Sequence, residues 1–315
     1  MFTLMPLLDA SASLDALSTG LLAHLRASGM PLPEDECFLD YITAAVRYGR
    51  TRALLAVHDG QAIGVVAWHH DNHIGHIALL YTLPQAPAAV ARELLAQAMA
   101  ALQEQDVADG IYAELPDAPP AVRRALDEAG FVGAERLIMR AELAGESVPV
   151  EVPPGYRLIG WQDDCFDAVA EVIYRANAGT LDAQIIPELR TLASTARIVR
   201  QTLDGRYGRF DRKASGLALA EGEGVVGVTL TTGRISGQGF TAEICVLPAH
   251  RRRGLARVLM GRAHAIFYAE GRREAMLGVT EGNPARHLYE SLGYVPVGSV
   301  WTYAWPKPDS WLGRA

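Results

Sequence analysis

One pattern occurs twice in this chain at a nearly fixed separation, and such a repeat commits the sequence to building one architecture twice. Leu54–Val57, the turn His58-Asp59-Gly60 and Ile63–Trp68 read as strand, turn, strand. So do Leu217–Ala220, Glu221–Gly224 and Val225–Leu230. The second strand of each pair holds a glycine, Gly64 and Gly227, at 227 − 64 = 163. Leu83-Pro84 and Leu247-Pro248 lie 164 apart, and Ala129-Gly130-Phe131 and Leu292-Gly293-Tyr294 lie 163 apart. Between these anchors each half carries a helix-like stretch, a strand and a second short helix. A length of 315 residues suffices for two domains with ample core in each. The stretch Gly145–Gly155, GESVPVEVPPG, lacks periodicity, contains Pro-Pro-Gly and marks the break. The sequence predicts a first copy over residues 1–145 and a second over 153–315.

Within each copy the elements do not simply alternate. Two N-terminal helices precede hairpin strands of antiparallel type, and a strand–helix–strand–helix–strand unit follows. The expected class is α/β (α+β mixed sheet), with a central mixed β-sheet flanked by helices on both faces. In the second copy, helical spacing covers Asp164–Ala176 and Ile186–Leu203. A strand is expected over Thr241–Leu247, an amphipathic helix over Leu255–Tyr268 and a strand over Ala275–Val279. Pro284–Ser291 reads as a short helix capped by Asn283 and ended by Gly293.

Composition removes several classes. Cys37, Cys165 and Cys245 are too few and too scattered for a disulfide framework or a zinc site, and fit a reducing cytoplasmic setting. A formal net charge of −7 argues against a nucleic-acid partner. No apolar run approaches a membrane span. The first basic side chain, Arg26, follows Asp9 and Asp15, which does not fit a leader peptide. His69, His70, His73 and His76 cluster on one hairpin. With a two-residue turn at Asp71-Asn72, His70 faces His73 while His76 pairs with Ala67 on the other face. Four ligands then do not converge, and no metal is expected.

The sharpest local signal is Val246-Leu247-Pro248-Ala249-His250-Arg251-Arg252-Arg253-Gly254-Leu255-Ala256. A strand ends, a basic turn follows, and an amphipathic helix begins. Unpaired amides at a helix start point outward, and the helix dipole adds positive potential. Arg251, Arg252 and Arg253 add full charges, and Gly254 lets the backbone approach a ligand. The set reads as a seat for a diphosphate, with an ordinary solvated basic turn as the alternative. His250 is expected at the surface, and His264 and His287 on outer helix faces.

The run Arg251-x-x-Gly254-x-Ala256 after a Val-x-Pro strand end resembles the acyl-CoA signature of the GNAT acyltransferase superfamily. Asn283-Pro-Ala-Arg-His-Leu-Tyr289-Glu-Ser-Leu-Gly293-Tyr294 resembles the second motif of that family. The resemblance is strong over 153–305 and reaches 50–145 only through the repeat. It implies tandem GNAT-like domains, and acetyl-CoA or a close acyl-CoA as donor. The pyrophosphate maps onto Arg251, Arg252, Arg253, Gly254, Leu255 and Ala256, with Asn283 as a further cofactor contact. Pantetheine would run along Thr241–Leu247, where that strand splays from Ala275–Val279. A neutral amine would attack the thioester directly, with an amide near Val246 polarising its carbonyl.

Direct attack needs one proton removed from the amine and one delivered to the leaving thiolate. Tyr289, at the family's tyrosine position, is the candidate acid. Glu243, on the motif strand, is the candidate base. Many relatives carry their acid about three residues earlier, where this chain has Gly239 and Phe240. Strand alternation puts Glu243, Cys245 and Leu247 on one face and Ala242, Ile244 and Val246 on the other. Cys245 reads as a packed residue.

The first copy has lost each polar position. Pro87 falls at Arg251, Val90 at Gly254, Arg92 at Ala256, Leu126 at Tyr289 and Leu79 at Glu243. It reads as a non-catalytic scaffold or a wall of the acceptor site. The chain as a whole reads as an N-acetyltransferase with one site in its second copy. Its acceptor would be a small-molecule amine or a protein N-terminus, with no nucleic-acid or membrane partner. The rival is a non-catalytic acyl-CoA sensor or interaction module, which would need no acid at Tyr289. Acidic residues between Asp163 and Glu188 could draw a cationic acceptor or merely face solvent.

Overall fold

The structure, a computed structural model, describes residues 1–9, 11–27, 38–71, 73–107, 109–116, 118–144, 151–234 and 237–306. Most of the expected linker, 145–150, lies outside the described residues. The chain packs into two compact units. The first comprises Met1–Arg136, Gln184–Pro187 and Gly298–Ala315; the second comprises Leu137–Ala183 and Glu188–Val297.

The first half contains, in order, β1 (Thr3–Pro6), α1 (Asp15–Ala27), α2 (Phe38–Arg47), β2 (Arg52–His58), β3 (Gln61–Asp71) and β4 (Ile74–Thr82). Then come α3 (Ala88–Gln103), β5 (Gly110–Leu115), α4 (Pro120–Glu128) and β6 (Val132–Glu142). In the first unit the sheet runs β1-β2-β3-β4-β5. Only β4 and β5 are parallel among these pairs. Residues Trp301 to Trp305 complete this sheet by pairing antiparallel with Leu115 to Ile111. Period-2 alternation sorts the side chains between two cores. Ala53, Leu55 and Val57 of β2 meet Leu17, Leu21 and Leu25 of α1 on one face. Leu54 and Ala56 meet α3 and α4 on the other.

The second half contains β7 (Tyr156–Gly160), α5 (Phe166–Asn177), α6 (Leu181–Ile185), α7 (Leu192–Leu203), β8 (Arg209–Phe210), β9 (Gly216–Ala220) and β10 (Gly224–Gly233). It continues with β11 (Gly239–Val246), α8 (Leu255–Ala269), β12 (Glu274–Thr280), α9 (Arg286–Ser291) and β13 (Val295–Trp305). In the second unit the sheet runs β7-β9-β10-β11-β12, with the end of β6 beside β12 and β8 on β10. Again one internal pair, β11–β12, is parallel. The mixed sheet flanked by helices is the class the sequence predicts.

Local departures have local causes. The expected helix over 186–203 is broken. Pro187–Leu189 forms a single 3-10 turn, and α7 starts only after Thr191, which closes a capping box with Ser194. Near 284 the first turn is irregular, so α9 begins at Arg286. The strand β1 carries no alternation strong enough to announce it. The histidine hairpin turns one residue later than expected, with His73 at φ 66°; Asn72 lies outside the described residues. His69 therefore pairs with His76, their rings stacked at 4.8 Å. Among the described residues, no group of three or more His, Cys, Asp or Glu is placed to hold a metal ion.

Both copies share a feature that alternation alone does not foresee. The β3–β4 register shifts between Ala67 and Trp68, which leaves Ala78 as the extra residue. The β10–β11 register shifts between Leu230 and Thr231, which leaves Ala242 extra. The two alanines lie 242 − 78 = 164 apart. Each bulge resets the alternation, so Ile77 and Leu80 share one core. The same reset turns both Thr241 and Ile244 toward α8, where Thr241 meets Met260.

Candidate functional site

The bulge sits where the sheet of the second unit opens. β11 and β12 pair only from Gly239↔Ala275 to Thr241↔Leu277, and the strands part beyond that point. Leu247 donates its amide to the Val226 carbonyl at 2.9 Å. By alternation, the Val246 amide points away from β10, toward the side that β12 has left. An amide there is placed to donate to a carbonyl oxygen in the opening.

Beyond β11 the chain makes one 3-10 turn, Pro248–His250, and then the loop 251–254. Arg252 has φ 63° and Gly254 φ 86°, so the loop passes twice through the left-handed region. For Arg252 this costs about 1–2 kcal/mol. A Cβ on Gly254 would meet no protein atom within 4 Å, so that position faces open space. Gly254 is the N-cap of α8 and makes no side-chain cap bond. Among the described residues, no main-chain acceptor is found for the amides of Arg252 to Ala256. They stand at the positive end of a fifteen-residue helix.

The three arginines have different surroundings. Arg251 turns back, with Nε donating to the Val246 carbonyl at 3.0 Å and Nη2 to the Ala176 carbonyl at 2.7 Å. It thereby satisfies a carbonyl in the last turn of α5 and holds the loop to that helix. Arg253 reaches the Ala249 carbonyl at 3.4 Å, and both Arg252 and Arg253 are exposed. His250, expected at the surface, is buried, 6% exposed. Its imidazole lies between the Tyr156 hydroxyl, 2.9 Å from Nδ1, and the Glu223 carboxylate, 3.2 Å from Nε2.

In the first copy the corresponding loop has become helix. The buried positions Leu94 and Leu95 of α3 match Val258 and Leu259 of α8 at an offset of 164. Yet α3 starts at Ala88, one turn earlier in that alignment, behind an N-cap at Pro87. The Val90 amide donates to the Pro87 carbonyl at 2.9 Å. Its side chain is buried over Gly64, where a Cβ would come within 2.9 Å of Val90 Cγ1. The segment aligned with 251–254 thus lies in the N-cap and first turn of α3, with a buried valine where α8 has Gly254.

Tyr289 lies on α9 and is 5% exposed, its ring edge-on to Tyr294 at 6.0 Å. Burial raises its pKa far above that of an ordinary phenol. The neighbouring Cys245, Tyr294, Glu243 and Asp182 push in the same direction. Glu243 and Cys245 share the face opposite α8, and the thiol points at Glu243 Oε2 at 3.9 Å. Asn177, the last residue of α5, donates to Cys245 Sγ at 3.6 Å. Burial and the Glu243 charge push the Cys245 thiol up, so it stays protonated and a poor nucleophile.

Asn283 is engaged at both ends. Its Oδ1 accepts the Ala285 amide at 2.9 Å, and its Nδ2 donates to Asp182 Oδ2 at 2.9 Å. Asp182 Oδ1 also accepts the Thr280 hydroxyl. Asn283 thus closes the turn ahead of α9, whose N-cap is Ala285 and has no side-chain cap bond, and Asp182 of α6 ties the end of β12 to that turn. Asn177, Tyr156 and Glu223 were not singled out from the sequence, and Asp182 only as one of the acidic residues between Asp163 and Glu188. Each reaches its partner across 68 to 101 residues or, for Glu223, 27, and no short-range spacing announces such pairs. His264 is not an outer residue either. It bonds the Tyr294 hydroxyl at 2.8 Å, and burial lowers its pKa to about 4. His287 is exposed, as expected.

Residues 213–296 match the family model described as Acetyltransferase (GNAT) domain. The match spans both motifs, the strand opening and α9. Similar solved structures include a GCN5-related N-acetyltransferase from Sphaerobacter thermophilus, with TM-score 0.66 and 18% identity over 98% of this chain and 96% of that one. A tandem GNAT protein from the clavulanic acid biosynthesis pathway gives 0.50 at 16% identity, over 98% and 100%. A glucosamine N-acetyltransferase region in a fungal multi-domain GH3 β-N-acetylglucosaminidase gives 0.57 at 14%, over 96% and 38%. At these identities the likeness is one of fold, and it is the GNAT fold. No curated protein matches the sequence. Among the described residues, no helix is long and apolar enough to cross a membrane.

Proposed function

We propose that this chain, which carries a GNAT domain at residues 213–296, is an N-acetyltransferase that moves an acetyl group from acetyl-CoA to a primary amine. The second copy, 153–315, supplies the site, and the first, 1–145, is non-catalytic. The observation that carries this reading is the pairing of a strand opening at Val246 with an uncapped row of amides from Arg252 to Ala256. A diphosphate suits the amides, the helix dipole and the exposed Arg252 and Arg253. Arg251 contributes by holding the loop, and Asn283 by fixing the start of α9 beside the opening.

In the reaction the amine nitrogen attacks the thioester carbon. The new C–N bond forms, the C–S bond breaks, and the Val246 amide steadies the oxyanion between these events. The ammonium proton passes to Glu243, directly or through water. The Tyr289 hydroxyl gives its proton to the departing thiolate. A raised pKa keeps that proton in place but weakens the phenol as an acid. The same desolvation makes a buried thiolate more basic, so donor and acceptor rise together.

A thiol-release screen with acetyl-CoA tests this, using a panel of small amines, amino sugars and N-terminal peptides. Turnover on any of them is the expected result. Tight acetyl-CoA binding with no release across the whole panel would favour a non-catalytic sensor instead.

A further inference from the structure

The loop 251–254 combines two left-handed residues with an uncapped helix start, a conformation that persists only when its surroundings hold it. Two consecutive side chains do the holding, and they leave the main chain in different directions. Arg251 goes to the end of α5. His250 goes to β7 and to the β9–β10 turn, where Tyr156 and Glu223 receive it.

We propose that His250 is a positioning residue for the cosubstrate: braced by Tyr156 and Glu223, it fixes the amides of Arg252 to Ala256 in the orientation that receives the diphosphate. The inference rests on the reading of that loop as the acyl-CoA seat. The chemistry of the three groups is complementary. A carboxylate only accepts, so His250 Nε2 carries the hydrogen toward Glu223. In the neutral ring Nδ1 then accepts from the Tyr156 hydroxyl. The Tyr156 ring also packs edge-on to the imidazole, 5.8 Å between centroids at 88°. With 6% exposure, the imidazole is buried against these two partners. Its backbone amide donates to the Leu247 carbonyl at 2.9 Å, which ties the clamp to the strand end that carries Val246. His250 touches none of the reacting atoms. A weakened clamp therefore makes acetyl-CoA order the loop as it binds, which loosens binding and leaves the chemical step alone.

The test compares Tyr156→Phe, Glu223→Gln, His250→Gln and His250→Ala with the parent and with Gly254→Val. Calorimetry with acetyl-CoA reads Kd, and steady-state kinetics with an accepted amine reads KM and kcat. Tyr156→Phe and Glu223→Gln should each raise Kd and KM for acetyl-CoA roughly 3–10-fold. His250→Ala should raise them further, and His250→Gln, which keeps one donor and one acceptor, should recover part of the loss. At saturating acetyl-CoA, kcat should stay within about twofold of the parent. Parental Kd in both Tyr156→Phe and Glu223→Gln would overturn the proposal, even if His250→Ala fails to fold. So would a loss confined to kcat. If the parent itself does not bind acetyl-CoA, the reading of the loop fails. If the parent binds, Gly254→Val does not, and the clamp variants match the parent, only the clamp fails.

Discussion

Leu126 and Tyr289 hold the same place in the two halves. The Leu126 carbonyl accepts the Phe131 amide, and the Tyr289 carbonyl accepts the Tyr294 amide, each at 3.0 Å. Gly130 and Gly293 turn the chain between them at φ 83° and 86°. Both side chains are buried. The backbone has been kept and the side chain exchanged, an aliphatic group in the first half and a phenol in the second.

Tyr289→Phe should therefore lower kcat roughly 10²–10⁴-fold and leave acetyl-CoA binding unchanged. The ring still fills its place against Tyr294, so the melting temperature should barely move. Steady-state kinetics beside calorimetry checks both halves. Parental turnover in the mutant would reduce Tyr289 to a packing residue.

Glu243 occupies the place of Leu79, one residue past the bulge in each copy. If it relays the amine proton, Glu243→Gln should slow the reaction most at low pH. Partial recovery should follow at high pH, where the amine is already free. A pH–rate profile decides this, and a loss equal at every pH would assign the base elsewhere.

One acetyl-CoA should bind per chain, because α3 has absorbed the residues that form the loop before α8. Gly254→Val should abolish that binding. The substituted Cβ meets no protein atom but forces a β-branched residue to φ 86°, at a stability cost of about 1–2 kcal/mol. Calorimetric titration gives the stoichiometry, and a value of two would show that the first copy keeps a seat of its own.

Stability should fall as pH drops from about 6.5 toward 4. Burial lowers the folded pKa of His264 to about 4, and burial with His69 and His70 nearby lowers that of His76 to about 4. The unfolded chain binds these protons first, so the contribution is complete above the ordinary histidine pKa and is lost on acidification. His264→Gln should flatten the dependence of melting temperature on pH between 7 and 4. An unchanged slope would place the acid sensitivity in other groups.

The repeat, the motif strand and the two motif helices were legible because each leaves a periodic or terminal signature. The glycine anchors recur because a tight helix end needs φ near 85° at Gly130 and Gly293, whatever the function. The bulge at Ala242 was not legible, since one extra alanine in an apolar strand changes no pattern. For the same reason, the alternation around Glu243 came out right only beyond it. His250 looked exposed because its partners, Tyr156 and Glu223, are brought to it by the sheet and not by the sequence nearby. Arg251 looked like one of three equal charges. Its use as a tether depends on where α5 ends, which spacing cannot give.

Trp301 and its partner Leu115 in the first unit's sheet are 301 − 115 = 186 residues apart in the chain. At 5–20 residues per second, a ribosome needs roughly 10–40 s to make that interval. For that time β5 has been made and its partner has not, and an unpaired strand edge is a template for any other chain that arrives first. The order of synthesis thus leaves the earlier half waiting on the later one, and a translational pause between the halves would lengthen the interval in which this protein can mispair.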